Sequence, residues 1–334
     1  MIRLSARFVS AGALVLFSMP IFHAAAQQQV PPAPAQEPSA PTPTGTATAP
    51  QPPVFPKPDP ANFTASTPTK EVIDAFLQTS WGYDGNRVWE IEAILKTSAE
   101  GVSKVVIYVG DKTGKEKPGS MGFYVLPDGK HIIAGDSLIP FGEHPYADYR
   151  AELQQHADGP YRGSASKDLE LVEFADFQCP HCKEAQANME KLAVDYPKAR
   201  IVFQNYPLVH LHPQAMTAAT YGVCVAKQGG SSAFFTYASA VFDGQDGLSS
   251  ADGATLTLNS AVTKAGLDPA KIAACAATPA TGALVEASVK LAQDLNVQQT
   301  PTLVVNGRQV PANASYETLK QVIDYQEKLD GVAN

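Results

Sequence analysis

Cys179 and Cys182 stand three positions apart, separated by Pro180 and His181. Two thiols at this spacing can close a small disulfide ring and open it again, so reversible thiol–disulfide chemistry is the first reading. A zinc site and an inert disulfide are the competing ones. Structural zinc takes four ligands, usually as two close pairs, and the remaining cysteines, Cys224 and Cys275, form no second pair. Redox chemistry also asks for a stabilised thiolate, and the neighbours fit that demand. Pro180 suits the first turn of a helix, where its missing N–H has no intrahelical task. His181 is a donor that can stabilise the thiolate further.

The flanking pattern supplies the elements that must position these groups. Leu169–Phe177 reads as a buried strand, and the residues after Cys179 as a helix to about Tyr196. Cys179 then lies at a helix N-terminus, where unpaired N–H groups and the macrodipole favour an anion. Arg200–Tyr206 predicts a second strand, and helical segments follow across 213–228, 232–243, 254–265 and 269–296. In the helical region Phe234, Phe235, Tyr237 and Phe242 read as core. Pro301 opens a strand at Thr302–Val305, Asn306-Gly307 turns it into Gln309-Val310, and a last helix runs from Tyr316 to about Leu329.

Upstream, residues 69–158 predict a small α+β domain. Thr69 can cap a helix carrying Val72, Ile73, Phe76 and Leu77. Trp89, Ile91, Ala93 and Leu95 alternate as a half-buried strand does, with Ile94 out of phase, and Lys104–Val109 is a second strand. Phe123–Leu126 and His131–Ala134 flank Pro127-Asp128-Gly129-Lys130, a strong hairpin signal. Ala151–Lys167 reads as a connector. Residues 31–60 hold twelve prolines among Ala, Thr, Gln and Ser, so 27–68 is expected to be a disordered, semi-rigid tether, simplest as a spacer. Arg3 and Arg7, the apolar run from Phe8 to about Phe22 and Ala24-Ala25-Ala26 have the grammar of a secretory signal over 1–26, with an uncleaved membrane anchor as the alternative.

Cleavage before Gln27 takes two of the 25 basic residues and leaves 23 against 33 acidic ones, a formal charge of −10. That balance argues against nucleic acid as a partner. An exported chain of this kind would sit in the periplasm or another extracytoplasmic, oxidising space, where disulfides are expected.

Phe174-Ala-Asp-Phe-Gln-Cys-Pro-His-Cys-Lys183 resembles the active-site segment of the DsbA family of periplasmic disulfide oxidoreductases, whose signature is the Pro-His dipeptide. Strand, helix, strand, a helical insertion, then hairpin and helix is the thioredoxin order with its middle expanded. Asp128-Gly-Lys-His-Ile-Ile-Ala-Gly135 is similar to the amino-terminal domain of the DsbC/DsbG isomerases, and Cys224-Val-Ala-Lys-Gln with Ala273-Ala-Cys275 to the second cysteine pair of that group. The resemblance covers about residues 70–325. It implies an α/β thioredoxin fold with a helical insertion over 159–330, no organic cofactor, and Cys179 as nucleophile with Cys182 as the resolving thiol. Glu173, six positions before Cys179, matches the buried acid that moves a proton from the resolving thiol; the plainer reading is a surface glutamate on an edge strand. Thr300-Pro301 would form a cis-proline loop opposite Cys179, the Thr300 backbone pairing with an extended substrate, although sequence alone predicts a trans bond. Cys224 and Cys275 would form a structural disulfide, against two separate buried thiols.

His210 and His212 alternate and could present two imidazoles on one side, but before Pro213 they read as turn residues rather than metal ligands. The expectation is therefore an exported thiol–disulfide oxidase acting on cysteine-containing exported proteins and recycled by a membrane redox partner. The Pro-His dipeptide favours this over a DsbC-like isomerase that dimerises through its amino-terminal domain. A chaperone with little turnover is the alternative of another class.

Overall fold

The computed structural model describes residues 53–114 and 117–332. The expected signal (1–26) and most of the expected tether lie outside the described residues. Pro53–Pro68, read in sequence as the end of the tether, instead belong to the first packed layer. Phe55 stacks on Tyr108 with ring centroids 6.1 Å apart, and Phe63 bridges to Ile94 and packs against the core. Two aromatic side chains give this stretch apolar surface to bury, which the preceding Pro/Ala/Thr sequence lacks.

Helix α1 (Lys70–Trp81) is capped by the Thr69 hydroxyl on Val72 N–H and buries Ile73, Phe76 and Leu77. It covers one face of an antiparallel meander of five strands, β1 (Arg87–Lys96), β2 (Ser103–Asp111), β3 (Gly119–Val125), β4 (His131–Ala134) and β5 (Ser137–Pro140), ordered as in sequence. Ile91 opposes Ile107 and Ala93 opposes Val106, so Glu92 is an extra residue that shifts the phase. That bulge turns the out-of-phase Ile94 inward, opposite Val105.

The predicted connector is structured. Helix α2 (Ala147–His156) seats Leu153 under the second sheet, and β6 (Tyr161–Gly163) is that sheet's edge strand. The second sheet continues with β7 (Glu170–Ala175), whose six residues are all buried. Helix α3 (Pro180–Asp195) and β8 (Arg200–Asn205) follow, then helix α4 (Ala215–Asp243), broken at Gly230 by φ 75°. The insertion ends with α5 (Ala251–Lys264), α6 (Pro269–Ala276) and α7 (Pro279–Asp294); β9 (Thr302–Val305), β10 (Arg308–Pro311) and α8 (Tyr316–Asp330) complete the chain. The sheet order is β10-β9-β7-β8-β6, with β7 parallel to β8 and antiparallel to β9. This is the thioredoxin arrangement, and β7 is its central strand.

All described residues lie in one compact unit. Arg308, buried on β10, reaches across to the first sheet's helix: its guanidinium donates to the carbonyls of Ser80 (2.9 Å) and Thr79, and to Gln326 Oε1 (2.9 Å). Five donors in a fixed fork suit the free carbonyls at the C-terminal end of α1.

Candidate active site at the start of helix α3

Cys179 is the N-cap of α3 and Pro180 its first residue. The first turn carries no acidic residue, so nothing competes with a sulfur anion for the helix N-terminus. Both thiols are free and buried, Cys179 at 5% exposure and Cys182 fully. The Cys179 thiol is held down at about 5, first by the hydrogen bond from Cys182, then by Thr300 and the backbone amides of Cys182 and His181, against the opposing effect of burial. Burial drives the Cys182 thiol in the opposite direction, and its hydrogen bond to Cys179 adds to the rise. The pair is polarised: an anionic outer sulfur beside a protonated inner one. His181 is exposed, 3.0 Å from Glu184, and that hydrogen bond raises its pKa, as does the negative sulfur of Cys179 to a lesser degree.

Glu173 lies on β7 beneath α3, at 3% exposure rather than on an edge strand. Burial lifts its carboxyl to about 7, partly offset by the Arg162 charge and by Gln186. Gln186 ties it to the inner cysteine, its amide donating to Glu173 Oε1 (3.0 Å) and to the Cys182 carbonyl (3.1 Å). A carboxyl poised near neutrality, linked to Cys182 through one side chain, has the proton affinity that an acid–base group needs.

Opposite Cys179 the Thr300–Pro301 bond is cis. Cys179 Sγ lies 3.7 Å from the Thr300 carbonyl oxygen. Cys224 and Cys275 form a disulfide linking α4 to α6, with their Cα atoms 6.0 Å apart. They lie in the helical insertion and not with Cys179 and Cys182, although Cys224 shares their hydrophobic cluster with Phe177, Phe234, Tyr237 and Phe242.

Two groups at this site were not singled out by sequence. Gln245, buried in the helical insertion, donates to the carbonyls of both Phe177 and Cys179 at 2.9 Å. Asp176 is buried with its carboxylate 2.8 Å from His212 Nδ1, so His212 is more than the turn residue expected, whereas His210 is exposed. The available signal for Asp176 was an acidic residue in an otherwise apolar strand end, three positions before the first cysteine. Gln245 had none.

A parallel pair flanked by an antiparallel strand, a Cys-x-x-Cys at the following helix and a cis-proline facing it define a thioredoxin-fold redox site. The Thioredoxin_4 family model, described as thioredoxin, matches residues 155–325, slightly more than half of the sequence, and the chain belongs to that family. Among solved structures it is similar to a thioredoxin-like oxidoreductase from Silicibacter pomeroyi DSS-3 (27% identity, TM-score 0.46, covering 54% of this chain and 98% of that one). It is also similar to the thiol-disulfide exchange protein alpha-DsbA2 from Wolbachia pipientis (21%, TM-score 0.46, 54% and 96%). Among curated proteins, a Na(+)/H(+) antiporter NhaA 3 of Salinispora tropica is 31% identical over 162 residues, 48% of this chain. The chain spans about a quarter of the length of that relative, 24%.

Proposed function

We propose that this chain is an extracytoplasmic thiol–disulfide oxidoreductase that donates the Cys179–Cys182 disulfide to cysteine-containing exported proteins. The observation that carries the reading is the opposite shift of the two thiols, Cys179 lowered to about 5 and Cys182 raised. A stabilised thiolate stabilises the reduced form, and a dithiol so stabilised makes its disulfide a stronger oxidant.

The reaction needs only sulfur and protons. A substrate thiolate attacks Cys179 Sγ of the disulfide; the ring S–S bond breaks and its electron pair goes to Cys182. Glu173, near enough to Cys182 that its charge adds to the rise of that thiol, supplies the proton that leaves the inner sulfur as a thiol. A second substrate thiolate then attacks the substrate sulfur of the mixed disulfide, and Cys179 departs as the favoured thiolate. The substrate is oxidised by two electrons and the enzyme reduced by two. Neither step uses an organic cofactor, and a membrane redox partner would reoxidise the pair. An extended substrate would pair with the Thr300 backbone, 3.7 Å from Cys179 Sγ.

One observation favours a second reading, a dimeric isomerase. Tyr124, Ile133 and Leu138 oppose one another across β3, β4 and β5 and are 43%, 39% and 46% exposed, an apolar row on the outer face of the first sheet. Light scattering separates monomer from dimer. Oxidative refolding of a reduced, unfolded disulfide protein tests the proposal: catalysis of that reaction, with little effect on a scrambled, fully oxidised one, is the expected result. Catalysis of the scrambled protein alone would replace the oxidase by the isomerase.

A further inference from the structure

Asp176 sits in the turn between β7 and α3 at 1% exposure, and the exchange steps above do not use it. A buried carboxylate is costly unless its oxygens are filled. Here Oδ1 accepts from Gln178 N–H at 2.7 Å, and Oδ2 accepts from Leu208 N–H at 2.8 Å and faces His212 Nδ1 at 2.8 Å. The backbone N–H of the same residue donates to Cys182 Sγ at 3.4 Å. Gln178 makes a second connection in the same direction, accepting from Gln214 N–H at 2.8 Å, and also donates to the Leu248 carbonyl beyond α4 at 2.9 Å. The turn that carries the cysteines is thus moored to the segment between β8 and α4, and His212 is the side-chain donor at the mooring.

We propose that His212 is a positioning residue for the inner thiol, acting through Asp176. The imidazole N–H holds the Asp176 carboxylate in the orientation that also gathers Gln178 and Leu208, and this fixes the Asp176 amide on Cys182 Sγ. The inference rests on the exchange proposed for Cys179 and Cys182. When a substrate thiolate bonds to Cys179 Sγ, the ring bond breaks and its electron pair collects on Cys182 Sγ. The Asp176 N–H donates to that sulfur until it takes its proton. A donor aimed where charge develops accelerates the step, and one allowed to drift does not.

In His212→Leu the side chain approximates the bulk of the imidazole but has no donor, whereas the smaller side chain of His212→Asn keeps a donor near the place of Nδ1. The experiment is the second-order rate at which dithiothreitol reduces the oxidised protein, followed by fluorescence or by quenched alkylation, with the Cys179 thiolate titrated at 240 nm in each reduced variant. Loss of one hydrogen bond to a charged acceptor is expected to slow His212→Leu roughly three- to tenfold. His212→Asn recovers most of the wild-type rate, and the Cys179 midpoint stays within about half a unit in both. Equal slowing in Leu and Asn would reduce His212 to a packing role and overturn the proposal, as would a wild-type rate in His212→Leu. If His212→Leu does not fold, Asp176→Asn, which keeps the shape but not the charge, carries the same expectation and the same failure. A wild-type protein that dithiothreitol reduces but that oxidises no protein thiol would instead sink the exchange reading and leave the His212 comparison intact.

Discussion

The two cysteine pairs of this chain make a controlled comparison. Cys179 and Cys182 sit at the mouth of a helix, among backbone donors, with one sulfur near the surface and one sealed beneath it. Cys224 and Cys275 join two helices of the insertion, and the hydroxyl of Thr281 lies within hydrogen-bonding reach of both sulfurs, at 3.6 and 3.8 Å. Both pairs touch the same apolar neighbourhood around Phe177 and Phe234. Apolar surroundings therefore do not decide which pair exchanges. What separates them is the helix end: Cys179 caps the N-terminus of α3, whose amides favour a thiolate, with Glu173 buried beneath it, whereas Cys275 lies in the last turn of α6 and Cys224 within α4.

Four changes sharpen or break that contrast. Cys179→Ala should abolish oxidation of protein thiols in a refolding assay while leaving the Cys224–Cys275 bond intact by mass; residual exchange through Cys224 or Cys275 would erase the distinction.

The second concerns pH. The folded Cys179 thiol titrates near 5 and an unfolded one near 8.5, so the depressed group stabilises the reduced form at high pH and that stability is lost as pH falls through 5. Glu173 works with the opposite sign between about 4.3 and 7, because its raised folded value means the native state holds the extra proton there. A Glu173→Gln background removes that contribution, so there the difference between reduced and oxidised protein isolates Cys179. Denaturant titrations of reduced and oxidised protein should show that difference shifting towards the reduced form by roughly 3–4 kcal/mol from pH 5 to 8. A flat difference would mean an ordinary thiol.

Third, Cys224→Ala with Cys275→Ala should lower unfolding stability by roughly 2–4 kcal/mol, with the exchange rate at Cys179 nearly unchanged. A large loss of exchange in a folded double variant would show that the insertion tunes the site. Last, Gln245→Leu leaves the carbonyls of Phe177 and Cys179 without their amide donor, for a cost of roughly 1–3 kcal/mol in thermal or chemical unfolding. No measurable cost would mean that water replaces the amide.

How much of this was legible in sequence follows from whether each feature is local. The β7–Cys179–α3 junction was readable because a continuous apolar run, a Cys-Pro and a helical pattern occupy adjacent positions. The gap between the helical segments 213–228 and 232–243 was readable, and the structure places the break at Gly230, where a positive φ favours glycine. By contrast α2 buries Leu153 and little else, so its pattern carries almost no moment, and β5 is four residues long. The cis bond at Pro301 came from resemblance to a fold, since composition pointed to trans. Asp176 and Gln245 were not singled out, and His212 reads in sequence only as a turn residue, because their meaning is tertiary: the partners lie 36 to 68 residues apart along the chain. A polar residue buried by distant elements leaves no periodic trace.

The most direct test of the central claim is the equilibrium reduction potential of Cys179–Cys182, titrated against glutathione with Cys224–Cys275 left oxidised. A thiolate stabilised at the start of α3 predicts a value near the ~ −120 mV of strong disulfide donors. A value near the ~ −270 mV typical of thioredoxin would contradict disulfide donation and make this chain a reductant of its partners.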